Sequence, residues 1–193
     1  MARPREFDRD AALKKALGVF WAKGFAATST DDLREAMGIG RQSLYGAFGD
    51  KRTLYLEALD TYQQMSNTGH VSRLCGPISP LKGIENLLAG IVVDDDSERA
   101  LGCMGVGSVS EFGATDPDLN ARRSAASMAL GRRIAERVSE GQKLGEVNAA
   151  LNPNEAAAFI QMTMTGLQIA ARGGAKAADL KAMARFATER LKA

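Results

Sequence analysis

The chain has 193 residues, of which 45% are hydrophobic and 25% charged, and its formal net charge is +2 at pH 7. This balance is typical of a globular protein, and no apolar run approaches the roughly 18 residues that a membrane span requires. The opening MARPREFDRD lacks the apolar core of a secretion signal, so we expect a cytoplasmic protein with no membrane partner.

Cysteine and histidine are scarce. The two cysteines, Cys75 and Cys103, are too few for a disulfide framework, and they stand far apart. The single histidine, His70, lies in a polar stretch without a second metal-ligating residue nearby. We therefore predict no metal site and no cofactor, and we interpret His70 as a solvated loop residue.

Four helices are predicted in the N-terminal third. Apolar residues recur at helical spacing in DRDAALKKALGVFWAKG, where Asp8 or Asp10 is the expected N-cap and Gly24 the expected end. Two short helices follow in TSTDDLREAMG and RQSLYGAF. A fourth helix, capped by Asp50, is predicted to run through Tyr62.

Longer helices are predicted in the rest of the chain. The segment SNTGHVSRLCGPISP, with two prolines, is interpreted as a loop, and DDDSER as a charged connector. Helices are expected over 81–93, 116–140, 152–172 and 176–191. Alternating runs of strand type are missing, so the predicted fold class is all-α with about nine helices.

The two short helices within residues 28–59 match the helix-turn-helix plan, in which the second helix enters the DNA major groove. Residues expected to face inward are Leu33, Ala36, Met37, Ile39, Leu44 and Phe48. Those left facing outward are Arg41, Gln42, Ser43, Tyr45 and Ala47. Arginine can pair with guanine and glutamine with adenine, while hydroxyl groups and Lys51 suit phosphate oxygens.

The stretch GFAATSTDDLREAMGIGRQSLYGAFGDKRTLYLEAL resembles the DNA-binding segment of the TetR (tetracycline repressor) family. The positions that carry the resemblance are Gly24, Phe25, Thr28, Gly38, Leu44, Tyr45, Phe48 and Lys51. The resemblance implies a transcriptional regulator, usually a repressor, that binds a palindromic operator as a homodimer and releases it when a small molecule binds. Residues 5–65 would form the helix-turn-helix domain and 66–193 a helical effector-binding and dimerisation domain.

The resemblance also implies roles for individual residues. Tyr45 and Lys51 match the family's phosphate contacts, and Thr30 matches a backbone contact. The base-reading positions correspond to Arg41, Gln42 and Ser43.

Two further features concern the DNA-binding segment. Asp31 departs from those family members that carry a basic residue there, and an acid suits a helix N-terminus better than a phosphate. Arg3 and Arg5 form an N-terminal arm, which either reaches a groove or the phosphates or is a solvated tail.

The stretch RALGCMGVGSVSEFG resembles the start of the sixth helix in one branch of the family. Together with the methionine-rich composition of this half, it leads us to expect an effector pocket that includes Met104, Phe112 and Met128. Cys103 near a helix N-terminus is either a reactive sensor of electrophiles or a buried packing thiol.

The helix over 152–172 is apolar on two faces, so it needs two burial partners. One partner is its own core, and the other is expected to be the same helix of a second subunit. The predicted dimer interface comprises Ile160, Met164, Leu167, Ala171 and Met183.

Other functions are less well supported. The sequence contains neither the Ser, His and acid set nor the paired carboxylates that would indicate an enzyme. Gly102 and Gly107 are spaced as in a phosphate-binding loop, with Ser108 next, but the required lysine and preceding strand are absent. A helical interaction module without DNA binding stays open as the alternative.

Overall fold

The structure is a computed structural model that describes residues 7–193. Over this range the secondary structure consists of ten α-helices, which confirms the predicted all-α fold. The helices are α1 (Arg9–Lys23), α2 (Thr30–Met37), α3 (Arg41–Phe48), α4 (Lys51–Cys75), α5 (Pro80–Ala89), α6 (Asp96–Leu101), α7 (Met104–Phe112), α8 (Pro117–Lys143), α9 (Pro153–Arg172) and α10 (Ala177–Glu189). An isolated antiparallel bridge joins Val147 and Lys192.

Local capping chemistry explains why the first helices begin and end where they do. The Asp8 carboxylate accepts hydrogen bonds from the backbone N–H groups of Asp10 and Ala11, so Asp8 is the N-cap of α1. Ser29 and Asp32 form a reciprocal capping box at the start of α2. Gly38 ends α2 in the left-handed conformation, with φ of 69°. The helix boundaries predicted in this region are therefore confirmed.

The prediction of a loop after residue 66 is wrong, because α4 continues without interruption to Cys75. The polar composition of this segment conceals a buried stripe, in which His70 and Leu74 lie one turn apart and are both buried. His70 is 8% exposed and belongs to a helix, so its interpretation as a solvated loop residue is also wrong. The helix ends only where Gly76 and Pro77 follow.

The charged segment predicted as a connector forms the short helix α6, which brings the number of helices within residues 7–193 to ten. Asp95 caps this helix by accepting from the N–H of Glu98. Arg99 is buried and donates hydrogen bonds to the carbonyls of Val93 and Ala175 and to the Asp96 carboxylate. The tertiary contacts of Arg99 therefore hold a helix that composition alone did not predict.

The buried side chains form two clusters, and α4 contributes to both. The first cluster packs α1, α2, α3 and the first half of α4, and it includes Leu54 and Tyr55. The second packs the end of α4 with α5, α8, α9 and α10, and it includes Leu74. Met104 of α7 and Leu119 of α8 belong to the first cluster. The N-terminal core thus extends into helices that lie far along the chain.

The predicted dimer interface needs correction. Ile160, Met164, Leu167 and Ala171 lie in the second core, and each is at most 5% exposed. The opposite face of α9 is exposed instead. Helical periodicity identifies two apolar faces but does not tell which one the chain buries against itself. In α9, the face predicted to form the dimer interface is the face that the chain buries in its own core. Of the predicted set only Met183, on α10, is exposed.

None of the described helices combines the length and the apolar character that crossing a membrane demands.

The burial of His70 leads to a prediction about stability and pH. Desolvation, with a smaller effect of the Arg73 charge, lowers the pKa of His70 from 6.5 to about 4. As the pH falls from 6.5 toward 4, the unfolded chain binds a proton that the folded chain excludes. We expect this group to cost about 2 kcal/mol of stability between about pH 7 and about pH 5.

Urea unfolding followed by circular dichroism at both pH values measures this loss. The variant His70→Gln should lose about 2 kcal/mol less than the unchanged chain over the same interval. An identical loss in both chains would contradict the assignment to His70.

Candidate functional site

The outer face of α3 presents a compact polar surface. Arg41, Gln42, Ser43 and Tyr45 are all exposed, while Leu44 is buried beneath them. Their spacing places the exposed residues on the side of the helix that points away from the first core. The chain therefore displays four groups capable of hydrogen bonding on a single helix of eight residues.

The start of α3 adds to the positive character of this surface. Gly40 is the N-cap and provides no side-chain hydrogen bond, and the first turn holds no acidic residue. The first N–H groups of the helix are therefore not capped by a side chain, and Arg41 stands beside them. Such an arrangement favours negatively charged groups because the helix dipole and the guanidinium act in the same direction.

Thr30, Arg41 and Tyr45 come together although α2 and α3 are separate helices. The Thr30 hydroxyl, and after it the Arg41 guanidinium, lower the pKa of the neighbouring Tyr45 hydroxyl because both groups favour its charged form. The guanidinium carbon of Arg41 lies 5.8 Å from the centre of the Tyr45 ring. Three residues singled out in the sequence thus form one cluster across the turn between the two helices.

Lys51 lies at the first position of α4, close to the turn that follows α3. Its ammonium nitrogen is 4.3 Å from the centre of the Phe25 ring, and the side chain is partly exposed. The adjacent Asp50 is occupied as the N-cap of α4, where it accepts from the N–H of Thr53. The positive charge of Lys51 is therefore held near the surface by an aromatic ring.

The remaining predicted positions fall into two groups. Asp31 is exposed and forms an ion pair of 2.7 Å with Arg34, so it serves its own helix. Arg3 and Arg5 lie outside the described residues, and their role stays a prediction.

Gly46 is a feature of the α3 surface that the sequence reasoning missed. It is exposed in the interior of the helix, and a methyl group built at this position would meet no atom within 4 Å. Glycine in a helix costs up to about 1 kcal/mol relative to alanine, and no contact within the described chain requires it here. The signal available in the sequence was a glycine inside a short predicted helix that also carries exposed polar residues.

Arg9 is a second residue that the sequence reasoning missed. Its guanidinium donates to the Glu57 carboxylate at 2.6 and 2.8 Å and to the Ala47 carbonyl at 3.3 Å. It also lies 4.4 Å from the centre of the Phe48 ring. Arg9 thereby ties the end of α3 to both α1 and α4, which fixes the angle at which the polar face of α3 is presented.

The residues predicted for an effector pocket do not all come together. Cys103 and Met104 line a cavity of about 430 Å³ bounded by α1, α7 and α9. Phe112 instead packs against the rings of Phe25 and Tyr55, with centroid distances of 5.4 and 5.7 Å. Met128 is 59% exposed on α8. The pocket prediction is therefore wrong for Phe112, which belongs to the first core, and for Met128, which lies on the surface.

A larger cavity of about 500 Å³ lies between α1, α4, α6 and α9. Trp21 of α1, Tyr62 and His70 of α4 and Ala171 of α9 are among the residues that line it. Its volume is in the range of small-molecule sites. We call it the interdomain cavity, because its walls come from both halves of the chain.

Two groups of contacts bind the first core to α7 and α8. The Glu111 carboxylate accepts hydrogen bonds from the N–H groups of Phe25 and Ala26 at 2.9 and 3.0 Å. Arg52, near the start of α4, donates to Asp116 at 2.8 Å.

In the described part of the chain, no group of three or more His, Cys, Asp or Glu side chains is arranged to hold a metal ion.

Comparison with protein-family models gives two matches. A model described as "Bacterial regulatory proteins, tetR family" matches residues 12–58, and one described as "Tetracyclin repressor-like, C-terminal domain" matches residues 85–187. The first match covers the helix-turn-helix and the start of α4, and the second extends from α5 into α10.

Individual proteins agree with these matches. The HTH-type transcriptional repressor ComR of Escherichia coli (strain K12) is 30% identical over 185 residues, which cover 94% of this chain and 88% of ComR. The uncharacterized HTH-type transcriptional regulator YezE of Bacillus subtilis (strain 168) is 38% identical over 120 residues, 62% of either protein. This chain therefore spans less than two thirds of YezE.

A solved structure is similar over the whole fold. It is a cysteine mutant of the TetR family transcriptional regulator CifR, complexed with 26-bp double-strand operator DNA. The two chains are 31% identical, with a TM-score of 0.82 and coverage of 98% of this chain and 100% of the other.

The environments of two glycines predict opposite effects of the same substitution. Gly46→Ala should raise the free energy of unfolding by about 1 kcal/mol, because alanine is the better helix former and has open space around it. Gly38→Ala should lower it by about 1 kcal/mol, because Gly38 has a φ of 69°. Denaturant unfolding of the two variants measures both changes, and a destabilised Gly46→Ala variant would contradict the first.

Proposed function

We propose that this chain, which belongs to the TetR family of bacterial transcriptional regulators, is a repressor controlled by a small-molecule effector. The family and the relatives that match are DNA-binding regulators and not enzymes. In this proposal a homodimer binds a palindromic operator through α3, and an effector releases it. The observation that carries the proposal is the polar outer face of α3, held in a helix-turn-helix.

The side chains on and around α3 suit two kinds of DNA contact, one to base edges and one to phosphates. Arg41 and Gln42 are exposed at the start of the helix, where their side chains suit the edges of guanine and adenine, and Ser43 lies beside them. Thr30 and Tyr45 supply hydroxyl groups at the edge of this face, and Lys51 supplies a positive charge, so these three suit phosphate oxygens. Gly46 leaves part of the face without a side chain, which permits close approach of the double helix.

An exposed apolar surface supports the homodimer. The side chains that form it on α9 and α10 are between 42% and 74% exposed; they are Phe159, Met162, Ile169, Met183 and Phe186. We call this the α9–α10 surface. An apolar area of this kind on two adjacent helices suits a two-fold interface with the same helices of a second subunit. Gly166 lies on the same face with open space around it, which allows the helices to cross closely.

The dimer would give the operator its geometry. Two recognition helices in one dimer suit half-sites one DNA turn apart, roughly 34 to 36 Å. The α9–α10 surface replaces the interface that was predicted from the sequence, except for Met183, which belongs to both.

Two features support control by an effector. The interdomain cavity has the volume of a small-molecule site. Cys103 is partly buried at the N-cap of α7 and lines the neighbouring cavity, where an electrophile that enters would meet its thiol. The interdomain cavity supports a reversibly bound effector, and the thiol supports an effector that binds covalently. Both cavities are lined by residues of α1 and α4, so an effector in either would contact the DNA-binding half.

The DNA-contact assignment predicts different behaviour for two variants. Arg41→Ala should lose about 1 to 3 kcal/mol of discrimination between operator and unrelated DNA, because it removes a base contact. Lys51→Ala should weaken binding to all sequences alike, because it removes a phosphate contact. Fluorescence anisotropy with labelled DNA from upstream of the chain's own gene measures both, at two salt concentrations.

Arg132 provides a matched control, since it is an exposed arginine on α8, outside the helix-turn-helix. Arg132→Ala should bind operator and unrelated DNA as the unchanged chain does. Unchanged binding by both Arg41→Ala and Lys51→Ala would refute the assignment of α3 as the reading helix.

The proposed interface predicts the effect of a buried charge. Met162→Glu should convert the dimer to a monomer, because Met162 is the most exposed member of the α9–α10 surface and a carboxylate would lose its water there. Ile78→Glu is the control, since Ile78 is 96% exposed away from this surface. Light scattering coupled to size exclusion gives the mass, and a Met162→Glu variant that stays dimeric would argue against this interface.

A further inference from the structure

The interdomain cavity differs chemically from an ordinary gap between helices. One wall is mainly apolar, and it includes Leu17 and Trp21 of α1 together with Tyr62 and Met65 of α4. Ile91, after α5, adds another apolar side chain. A ligand that fills the cavity therefore needs an apolar body, because these side chains offer mainly hydrophobic contact.

Two positive charges border the same cavity. Lys14 of α1 and Arg73 of α4 both line it. None of the twelve ion pairs found within residues 7–193 involves either of them. The carboxylate that lines the cavity is Glu98, which is exposed on α6. The cavity therefore has an excess of positive charge.

Arg99 also lines the cavity, but its charge is already used. It is buried, pairs with Asp96 at 2.5 Å and donates to the carbonyls of Val93, Asp94 and Ala175. It therefore supports the wall of the cavity, and a ligand would meet Lys14 and Arg73 as the available cations.

The local backbone makes room for the Arg73 side chain. A methyl group built on Gly90 would lie 2.3 Å from Cδ and 2.4 Å from Nε of Arg73, and one built on Gly69 would lie 3.4 Å from a terminal nitrogen. The side chain thus passes across two glycines, one on its own helix and one at the end of α5. This arrangement holds the guanidinium at the border of the cavity.

His70 provides a polar group in the same wall. Its Nε2 is 3.1 Å from the Ser66 hydroxyl oxygen, whereas its Nδ1 is buried without a hydrogen-bond partner in the described part of the chain. A buried ring nitrogen left unpaired costs free energy. A polar group of a ligand that reaches this wall would recover part of that cost.

We propose that the interdomain cavity binds a small amphipathic organic anion, whose carboxylate or sulfonate pairs with Arg73 and Lys14 while its apolar body packs on Trp21 and Tyr62. This inference rests on the proposed function, because it names the chemical class of the effector. Occupation reaches the DNA-binding half directly, since α1 forms one wall and α4 another. The ligand thereby changes how α1 sits on α4 and weakens operator binding.

The experiment uses two probes that share a ring system and differ in charge. Anilinonaphthalene sulfonate carries a sulfonate, and N-phenylnaphthylamine is its uncharged counterpart. Trp21 is the single tryptophan of the chain and lines the cavity, so quenching of its emission reports a probe bound nearby. Trp21 and Ile169 also line the neighbouring cavity, so the Arg73→Gln variant assigns the quenching to the interdomain cavity, which Arg73 borders. The full chain is titrated with each probe.

We expect the sulfonate to quench Trp21 with at least about tenfold higher affinity than the uncharged probe, because a charge-assisted contact adds to the hydrophobic one. Arg73→Gln should weaken the sulfonate about tenfold and leave the uncharged probe unchanged, while Arg132→Gln should alter neither. Thermal unfolding confirms that each variant is folded. Equal affinities for the two probes, an unaffected Arg73→Gln variant or the absence of Trp21 quenching would each overturn the proposal.

Operator binding is measured in parallel by anisotropy, with and without the sulfonate probe. If the chain binds its operator but the sulfonate is not preferred over the uncharged probe, only the anion site is overturned. The expected probe pattern in a chain that binds no operator DNA leaves the anion site standing and overturns the proposed function. Operator affinity unchanged by saturating probe would refute the coupling between the cavity and α1.

Discussion

The burial of α4 in two cores is the constraint on which the rest of the structure depends. Its first half closes the N-terminal core through Leu54, Tyr55 and Leu59, and its last turns enter the second core through Leu74. A helix of 25 residues spans about 38 Å, which is enough to reach both. Any displacement of the second core against the first must therefore move α4 or bend it, and the position of α3 follows because α3 packs on α4.

The DNA-binding half shows how local pairing creates a positive face from an almost neutral sequence. Residues 1–60 hold ten Lys and Arg against nine Asp and Glu. Most of the acids in the described part are engaged within the fold: Asp8 and Asp50 cap helices, Asp31 pairs with Arg34, Asp32 with Lys23, and Glu57 with Arg9. Arg41 and Lys51 instead rest on aromatic rings near the surface. Charge placement, and not net charge, therefore suits this face to DNA.

Hydrogen bonds and an ion pair also join the two halves of the chain. Trp21 donates to the Gly102 carbonyl at 3.1 Å, Glu111 accepts from the backbone of Phe25 and Ala26, and Arg52 pairs with Asp116. These contacts lie around the interdomain cavity and the neighbouring cavity that Cys103 lines, and they join groups from both halves of the chain. In the proposed mechanism, a ligand that enters between α1 and α4 would compete with the contacts that hold the helix-turn-helix in its present orientation, and this competition would link ligand binding to release of DNA.

The sequence by itself determined the local features. Helix ends at Asp8, Ser29, Gly38 and Asp50, the inward positions of α2 and α3, and the polar face of α3 depend on neighbouring residues, so short-range patterns were sufficient to predict them. Long-range packing decided the rest. The continuation of α4 through a polar segment, the formation of α6 around Arg99, and the choice of the inner face of α9 depend on residues far along the chain. Periodicity shows that a helix has an apolar face, but only the packed partners decide which face is buried and where a cavity remains.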